Sequence, residues 1–210
     1  MSSAPAPFLA RALDPEAEPP TDAASQRILD AALDLAAASG IKNLTLEQVA
    51  KRAGVGRVTI YRRFGDRQSL IEALGVREAR RCFAVLDEAA TTDQPIEVQV
   101  AEGFVAGLRL IREHPLVSRL VTHEPDIVLE ALTNERAAIF PLARAWVAAR
   151  LAASQEAGVR RRRDLDLEQV AEIFLRVTLS FALIRDSALP LDDEQQARET
   201  ARRLLTPIVG

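Results

Sequence analysis

From Asp22 onward apolar residues recur at three- and four-residue steps. No run of β-branched residues alternates with polar ones for long enough to make a sheet, so the pattern predicts an all-α chain. The first helix is expected over about 23–39, with Ile28, Ala32, Leu35 and Ala36 on one face and Gly40 as its left-handed terminator. A new start signal follows at once. In Leu44-Thr45-Leu46-Glu47-Gln48-Val49, Thr45 can cap, Gln48 three residues on can reciprocate, and Leu44 and Val49 can form the staple. That helix must be short, because Gly54 ends it and another amphipathic segment begins near Gly56 or Arg57. Longer helices are expected over about 66–88, 95–113, 134–155, 167–187 and 192–205, with Pro141 starting or kinking one of them. Residues 1–22, rich in Ala, Pro and acid, lack any period and are expected to form a disordered tail. The Arg160–Arg163 run with Asp164 is expected as a solvated loop between helices.

Composition narrows the class. The chain has 210 residues, 48% hydrophobic and 27% charged, enough for one or two real cores. Cys82 is the single cysteine, which excludes an intrachain disulfide and a thiolate zinc cluster. The greasiest run, from Ile173 to Ile184, carries Arg176 in its middle, so no membrane span is expected. The first 24 residues hold five of the eleven prolines and one base, Arg11, which does not fit a secretory signal; a cytoplasmic protein is expected. Net charge is −3, but residues 25–80 carry +4 between acidic flanks. From Lys42 to Arg67 there are seven bases against only Glu47 and Asp66, a density that a phosphate backbone rewards through counterion release.

The segment from Leu46 to Phe64 reads as helix, tight turn at Gly54-Val55-Gly56, then a helix of about two turns: helix-turn-helix grammar. At about 100° per residue, Ile60 and Phe64 share one side of the second helix, with Val58 and Arg62 opposite and Thr59 and Tyr61 on the flanks. The opposite side is expected to face double-stranded DNA. Arg57 and Arg62 can reach phosphates or guanine edges, Val58 a thymine methyl, and Thr59 a base or phosphate. Tyr61, the sole tyrosine, suits a phosphate oxygen. Thr45 and the free amides at the second helix's start offer a further phosphate site, and Arg67 a contact from the next helix.

These residues carry a resemblance. Gly40, Thr45, the run Gly54-Val55-Gly56-Arg57-Val58-Thr59-Ile60-Tyr61-Arg62-Arg63-Phe64, then Asp66-Arg67 and Leu70, are spaced as in the DNA-binding end of TetR-family transcriptional regulators, and the chain resembles that family from Ile28 to Leu74. Gly56 stands where the family often has a capping serine, Val58 where it often has glycine, and Arg63 where histidine is common. These departures bear on the operator read, since glycine at an N-cap costs only a few tenths of a kcal/mol. The resemblance implies an N-terminal three-helix bundle with a helix-turn-helix over about 45–64, spanning 23–80, followed by a larger helical domain over 81–210 for ligand binding and dimerisation.

Independently of that resemblance, Leu167, Val170, Phe174, Val177, Phe181 and Ile184 step by three and four, the spacing of a helix packed along a seam. A second apolar line, Leu175, Leu179 and Ala182, together with Ala197, Ala201 and Leu204 of the last helix, calls for a partner surface. The resemblance places a homodimer interface there, and a palindromic operator follows from the symmetry. It also places an effector pocket for an unidentified small apolar molecule among the middle helices, where Phe104, Leu108, Ile111, Phe140, Trp146 and Phe174 are the candidates. A repressor released by that effector is the expected function, with no cofactor and no metal; His114 and His123, nine apart, suit helix ends better than a shared ion. Two rivals are a helical protein–protein adaptor, which leaves Tyr61 and Arg62 unexplained, and a small all-α enzyme. For the enzyme there is no Glu-x-x-His pair, no Ser-His-Asp grouping and no phosphate loop.

Overall fold

A computed structural model describes residues 22–133, 139–156 and 166–209. Among them no β-strand occurs, and the helices are α1 (Ala23–Ser39), α2 (Leu46–Ala53), α3 (Arg57–Phe64), α4 (Arg67–Ala89), α5 (Ile96–Glu113), α6 (Pro115–His123), α7 (Pro125–Thr133), α8 (Ile139–Glu156), α9 (Leu167–Leu183), α10 (Glu194–Leu204) and α11 (Thr206–Val209). The all-α class expected from the periodicity is what the chain adopts. The N-terminal tail and the Arg160–Arg163 run lie outside the described residues.

The described residues gather into two compact units. The first contains α1, α2, α3 and α4 up to Arg81, together with α6 and α7. Ile28, Leu29, Leu44, Val49, Ile60, Leu70 and Leu74 are buried in one core, and Leu116 of α6 joins it. An eight-residue helix is marginal alone. Burial of Ile60 and Phe64, at about 1.5–3 kcal/mol each, is therefore what holds α3 in place. Over 114–133, where apolar periodicity predicts no element, the chain forms α6 and α7. Each of these two short helices has proline at its first position, where the missing N–H is no loss, and His114 caps α6 through Nδ1, which accepts from Val117 N–H at 3.4 Å.

A buried charge cluster ties this unit together. Arg77 donates to Glu78 at 2.7 Å and to Asp30 of α1 at 2.7 Å. The other Glu78 oxygen lies 3.3 Å from His114 Nε2. Burial pushes the Glu78 carboxyl up, but the His114 hydrogen bond and the charges of Arg77 and Arg81 outweigh it and hold the group below its ordinary value.

The second unit holds the end of α4, α5, α8, α9, α10 and α11. Its core contains Ile96, Val100, Phe104, Leu108, Val170, Ala182, Ala197 and Ala201. Arg198 Nε of α10 donates to both carboxylate oxygens of Glu102 of α5, at 2.9 and 3.0 Å. Helix α9 stops at Leu183 rather than near residue 187 as expected, with Ile184 already extended. Arg112 of α5 donates to Phe181 O at 2.9 Å and to Leu191 O at 3.0 Å, satisfying a last-turn carbonyl of α9 and pinning the outgoing chain.

Candidate functional site

The α2–α3 pair is built by local rules. Thr45 Oγ1 accepts from Gln48 N–H at 3.3 Å while Gln48 Oε1 accepts from Thr45 N–H at 3.1 Å, completing the capping box. At the other end Gly54 has φ +65°, ψ +36°, the left-handed conformation that turns the chain toward α3 and that favours glycine. Asp66 then caps α4, accepting from Ser69 N–H at 2.7 Å, a bond that lowers its pKa.

On α3 the two faces separate cleanly. Ile60 and Phe64 are buried, whereas Val58 is 79% and Tyr61 55% exposed, and Arg57 and Arg62 are exposed beside them. Arg62 has no ion-pair partner among the described residues. Arg57 pairs with Glu47 of α2, but both groups stand in water, so the pair is worth at most about 1 kcal/mol and a phosphate can replace the carboxylate. Thr59 is half-buried on the flank. Thr45 is exposed, but its hydroxyl already serves the capping box, also donating to Gln48 Oε1 at 2.9 Å. Five of the seven residues expected to meet DNA thus lie on or beside α3, with Thr45 at the start of α2.

Arg67 is engaged differently from the phosphate contact the sequence suggested. Its guanidinium donates to Leu44 O and Ile41 O, each at 2.6 Å, and to Lys42 O at 3.1 Å. All three carbonyls belong to the loop that delivers Thr45; Ile41 O also accepts from Leu44 N–H at 3.2 Å, and the arginine draws the three together as the clasp of that loop. From the other side the buried Glu124 accepts from Ile41 N–H at 2.9 Å and Lys42 N–H at 3.3 Å. Gly40 permits this approach: it has φ +89°, and a Cβ there would lie 2.9 Å from the Glu124 carboxylate.

Three participants escaped the sequence reading. Glu124 gives no local signal, because its partners lie more than eighty residues away. Arg63 pairs with Asp22 at 2.6 Å and donates to Ser25 Oγ at 3.0 Å, fastening α3 to the start of α1. Arg52 pairs with Asp34 at 2.7 Å. Lys42, part of the basic stretch, is held by Asp126 at 2.5 Å; that hydrogen bond raises the lysine pKa and lowers the aspartate's.

The second unit contains a cavity of about 140 Å³. Phe83 and Leu86 of α4, Gly103 and Gly107 of α5, Trp146 and Val147 of α8, and Phe174 and Leu175 of α9 contribute to its walls. Trp146 packs on Phe83 with ring centroids 5.1 Å apart. Of the six residues expected around an effector, Trp146 and Phe174 line this cavity. Phe104 and Leu108 are buried in the unit's core, Ile111 packs against it, and Phe140 lies under Arg176, whose guanidinium carbon is 5.0 Å from the ring centre.

The residues expected at a dimer interface are also divided. Ala182, Ala197 and Ala201 are closed into their own unit, because α9 and α10 both pack on α5 and small side chains let the backbones approach. Leu175 lines the cavity, Leu179 is half-buried, and Leu204 is 45% exposed. Ile173, Leu183 and Ile184 are further exposed apolar residues that the stripe reading passed over. Among the described residues no group of acidic, cysteine and histidine side chains is arranged to hold a metal, and no helix is long and apolar enough to cross a membrane.

Comparison with known proteins agrees with this geometry. Residues 28–74 match the family described as bacterial regulatory proteins, tetR family. The HTH-type transcriptional regulator AlkX of Mycobacterium tuberculosis is 29% identical over 186 residues, covering 86% of this chain and 82% of that protein. Two solved structures share the fold. FadR of Bacillus halodurans, described as a fatty acid degradation regulator, superposes with a TM-score of 0.64 at 16% identity, covering 89% of this chain and 96% of its own. A tetR-family regulatory protein of Rhodococcus RHA1 gives 0.59 at 19% identity, covering 90% and 98%.

Proposed function

We propose, from the match of residues 28–74 to the tetR family and the likeness to AlkX, that the chain is a TetR-family transcriptional regulator with a helix-turn-helix DNA-binding domain, acting in the cytoplasm as a homodimeric repressor. In this reading residues 23–80 bind a palindromic operator, and 81–210 hold the dimer interface and a site for a small apolar effector. The observation that carries the DNA reading is the two-faced α3. Val58 and Tyr61 stand in solvent between Arg57 and Arg62 on a helix whose other side is buried. An apolar and an aromatic side chain held out among arginines have no role in the core, and suit base edges and phosphates in a major groove.

Ile173 and Leu183 of α9, Ile184 just beyond it and Leu204 of α10 leave apolar side chains exposed on the helices of the expected interface, which supports a second copy as their cover. One short helix reading a half-site gives modest affinity, and two related by a twofold axis read a palindrome. An effector releases DNA by favouring a conformation of the dimer in which the two reading heads no longer match the operator.

The deciding experiment is the double variant Tyr61→Ala/Arg62→Ala titrated against the DNA upstream of the gene at several salt concentrations. Loss of affinity with a shallower salt dependence is expected; binding that persists with an unchanged slope refutes the assignment. Sedimentation of the free protein and footprinting of the complex test the dimer and the symmetric site. A monomer, or a footprint without twofold symmetry, removes that part.

A further inference from the structure

Between Lys42 and Arg67 the only acids are Glu47 and Asp66, and Asp66 is occupied in capping α4. Glu47 has no such duty. It stands exposed in the first turn of α2, and its carboxylate crosses to Arg57, the first residue of α3. The capping box is complete without it, between Thr45 and Gln48. Its place suits the α2 dipole, but any acid in that turn does so with no arginine on another helix. Lys51 stands one turn along α2, at the spacing that favours a Glu–Lys pair, yet has no ion-pair partner among the described residues. Residues five apart on a helix stand about 140° apart. Arg52 accordingly turns to α1, pairing with Asp34, and Glu47 turns to α3.

The N-terminal residues of a recognition helix meet base edges, so Arg57 brings a carboxylate with it to the groove. A carboxylate there lies among phosphates, which weakens binding unless a base supplies a donor. If Arg57 left Glu47 for a phosphate, the acid would stand unpaired beside the same backbone. Kept together, the two side chains hold a donor fork next to an acceptor, and five N–H groups suffice for both a guanine and Glu47. A G·C pair shows the complement across the major groove: N7 and O6 of guanine accept, and N4 of cytosine donates. An A·T pair does not, because the adenine amino group lies between two acceptors, its own N7 and O4 of thymine.

We propose that Glu47 and Arg57 act as one unit that reads a single G·C pair in each half-site, Arg57 donating to guanine O6 and N7 while Glu47 accepts from cytosine N4. Glu47 thereby joins the residues that decide which operator is bound. This deepens the DNA reading above and rests on it.

The test begins by selecting bound sequences from randomised double-stranded DNA with the full chain, which is expected to fix a G·C pair at one position of each half-site. That site is then titrated with the cytosine replaced by N4-methylcytosine, whose methyl group takes the place of the groove-facing N–H while pairing with guanine is kept. The unsubstituted chain should bind about tenfold more weakly for each half-site changed, the worth of one hydrogen bond to a charged group. Glu47→Ala should be indifferent to the methyl group, yet still lose affinity when 7-deazaguanine removes the N7 acceptor from Arg57. Glu47→Gln keeps an acceptor and should recover part of the sensitivity. Melting temperatures of the variants should stay close to that of the unsubstituted chain, since an exposed ion pair contributes little to stability.

Equal loss on N4-methylcytosine in the unsubstituted chain and Glu47→Ala, or no loss in either, overturns the pairing. So does Glu47→Ala that binds every sequence more tightly with a steeper salt dependence, because Glu47 then only repels phosphates. A selection that yields no preferred sequence, or one bound equally well by Tyr61→Ala/Arg62→Ala, sinks the DNA reading itself. A selected site that depends on Tyr61 and Arg62 but not on Glu47 sinks this inference alone.

Discussion

Arg67→Ala separates two accounts of one arginine, phosphate contact or loop clasp, because they leave opposite signatures. The substitution removes three donors from Ile41 O, Lys42 O and Leu44 O. A hydrogen bond from a charged donor is worth about 1.5–3 kcal/mol when buried. Arg67 is only half-buried and water will re-solvate the freed carbonyls, so less than half of the sum survives, about 2–3 kcal/mol. For a chain of this size each kcal/mol moves the melting temperature by about 2–4 °C, which gives a fall of roughly 4–12 °C. Operator affinity should drop too, through a loosened Thr45, but evenly across salt concentrations. A lost phosphate contact instead flattens the logarithmic salt dependence by about 0.9 for each phosphate no longer neutralised. Thermal melts and salt-dependent binding isotherms of Arg67→Ala, with Arg62→Ala as the opposite control, decide the matter. A normal melting temperature with a flattened slope in Arg67→Ala would refute the clasp.

Other substitutions probe the supports of the site and the second unit. Gly40→Ala should destabilise by about 1–3 kcal/mol, since a side chain at φ +89° is strained and its Cβ displaces the Glu124 carboxylate; combined with Glu124→Ala the losses should be less than additive, and full additivity in melts counts against the contact. Glu78 is held below its ordinary 4.5, so its stabilisation is complete above that pH and is lost as the pH falls through the depressed folded value. Glu78→Gln should therefore show a shallower acid-unfolding profile below about pH 4.5, and parallel profiles would exclude the cluster as its source. Gly107→Ala, with its Cβ 2.9 Å from Thr178 Cγ2, should cost about 1–3 kcal/mol, whereas Gly103→Ala should be neutral or stabilising; similar melting temperatures for the two would contradict the helix spacing described.

The sequence by itself determined the elements whose causes are local. The capping box at Thr45 and Gln48, the glycine turn at Gly54, the Asp66 cap and the inward pair Ile60 and Phe64 each follow from neighbours within a few residues, and α1–α3 can be read without a tertiary contact. The two faces of α3 are equally legible, because helical period alone sets Val58 and Arg62 opposite Ile60 and Phe64. Only the tertiary structure decided what an arginine does once it has several partners within reach. Arg67 turns to loop carbonyls and Arg63 to the start of α1, while Arg62 faces water, though all three are the same residue type within six positions. It also decided that α6 and α7 belong with the first unit, where Glu124 reaches the Ile41 amide across eighty-three residues, and that Ala182, Ala197 and Ala201 are core. An apolar stripe demands burial but does not name the surface that supplies it. That choice is made by which helices meet, and contacts between distant segments leave no period along the chain.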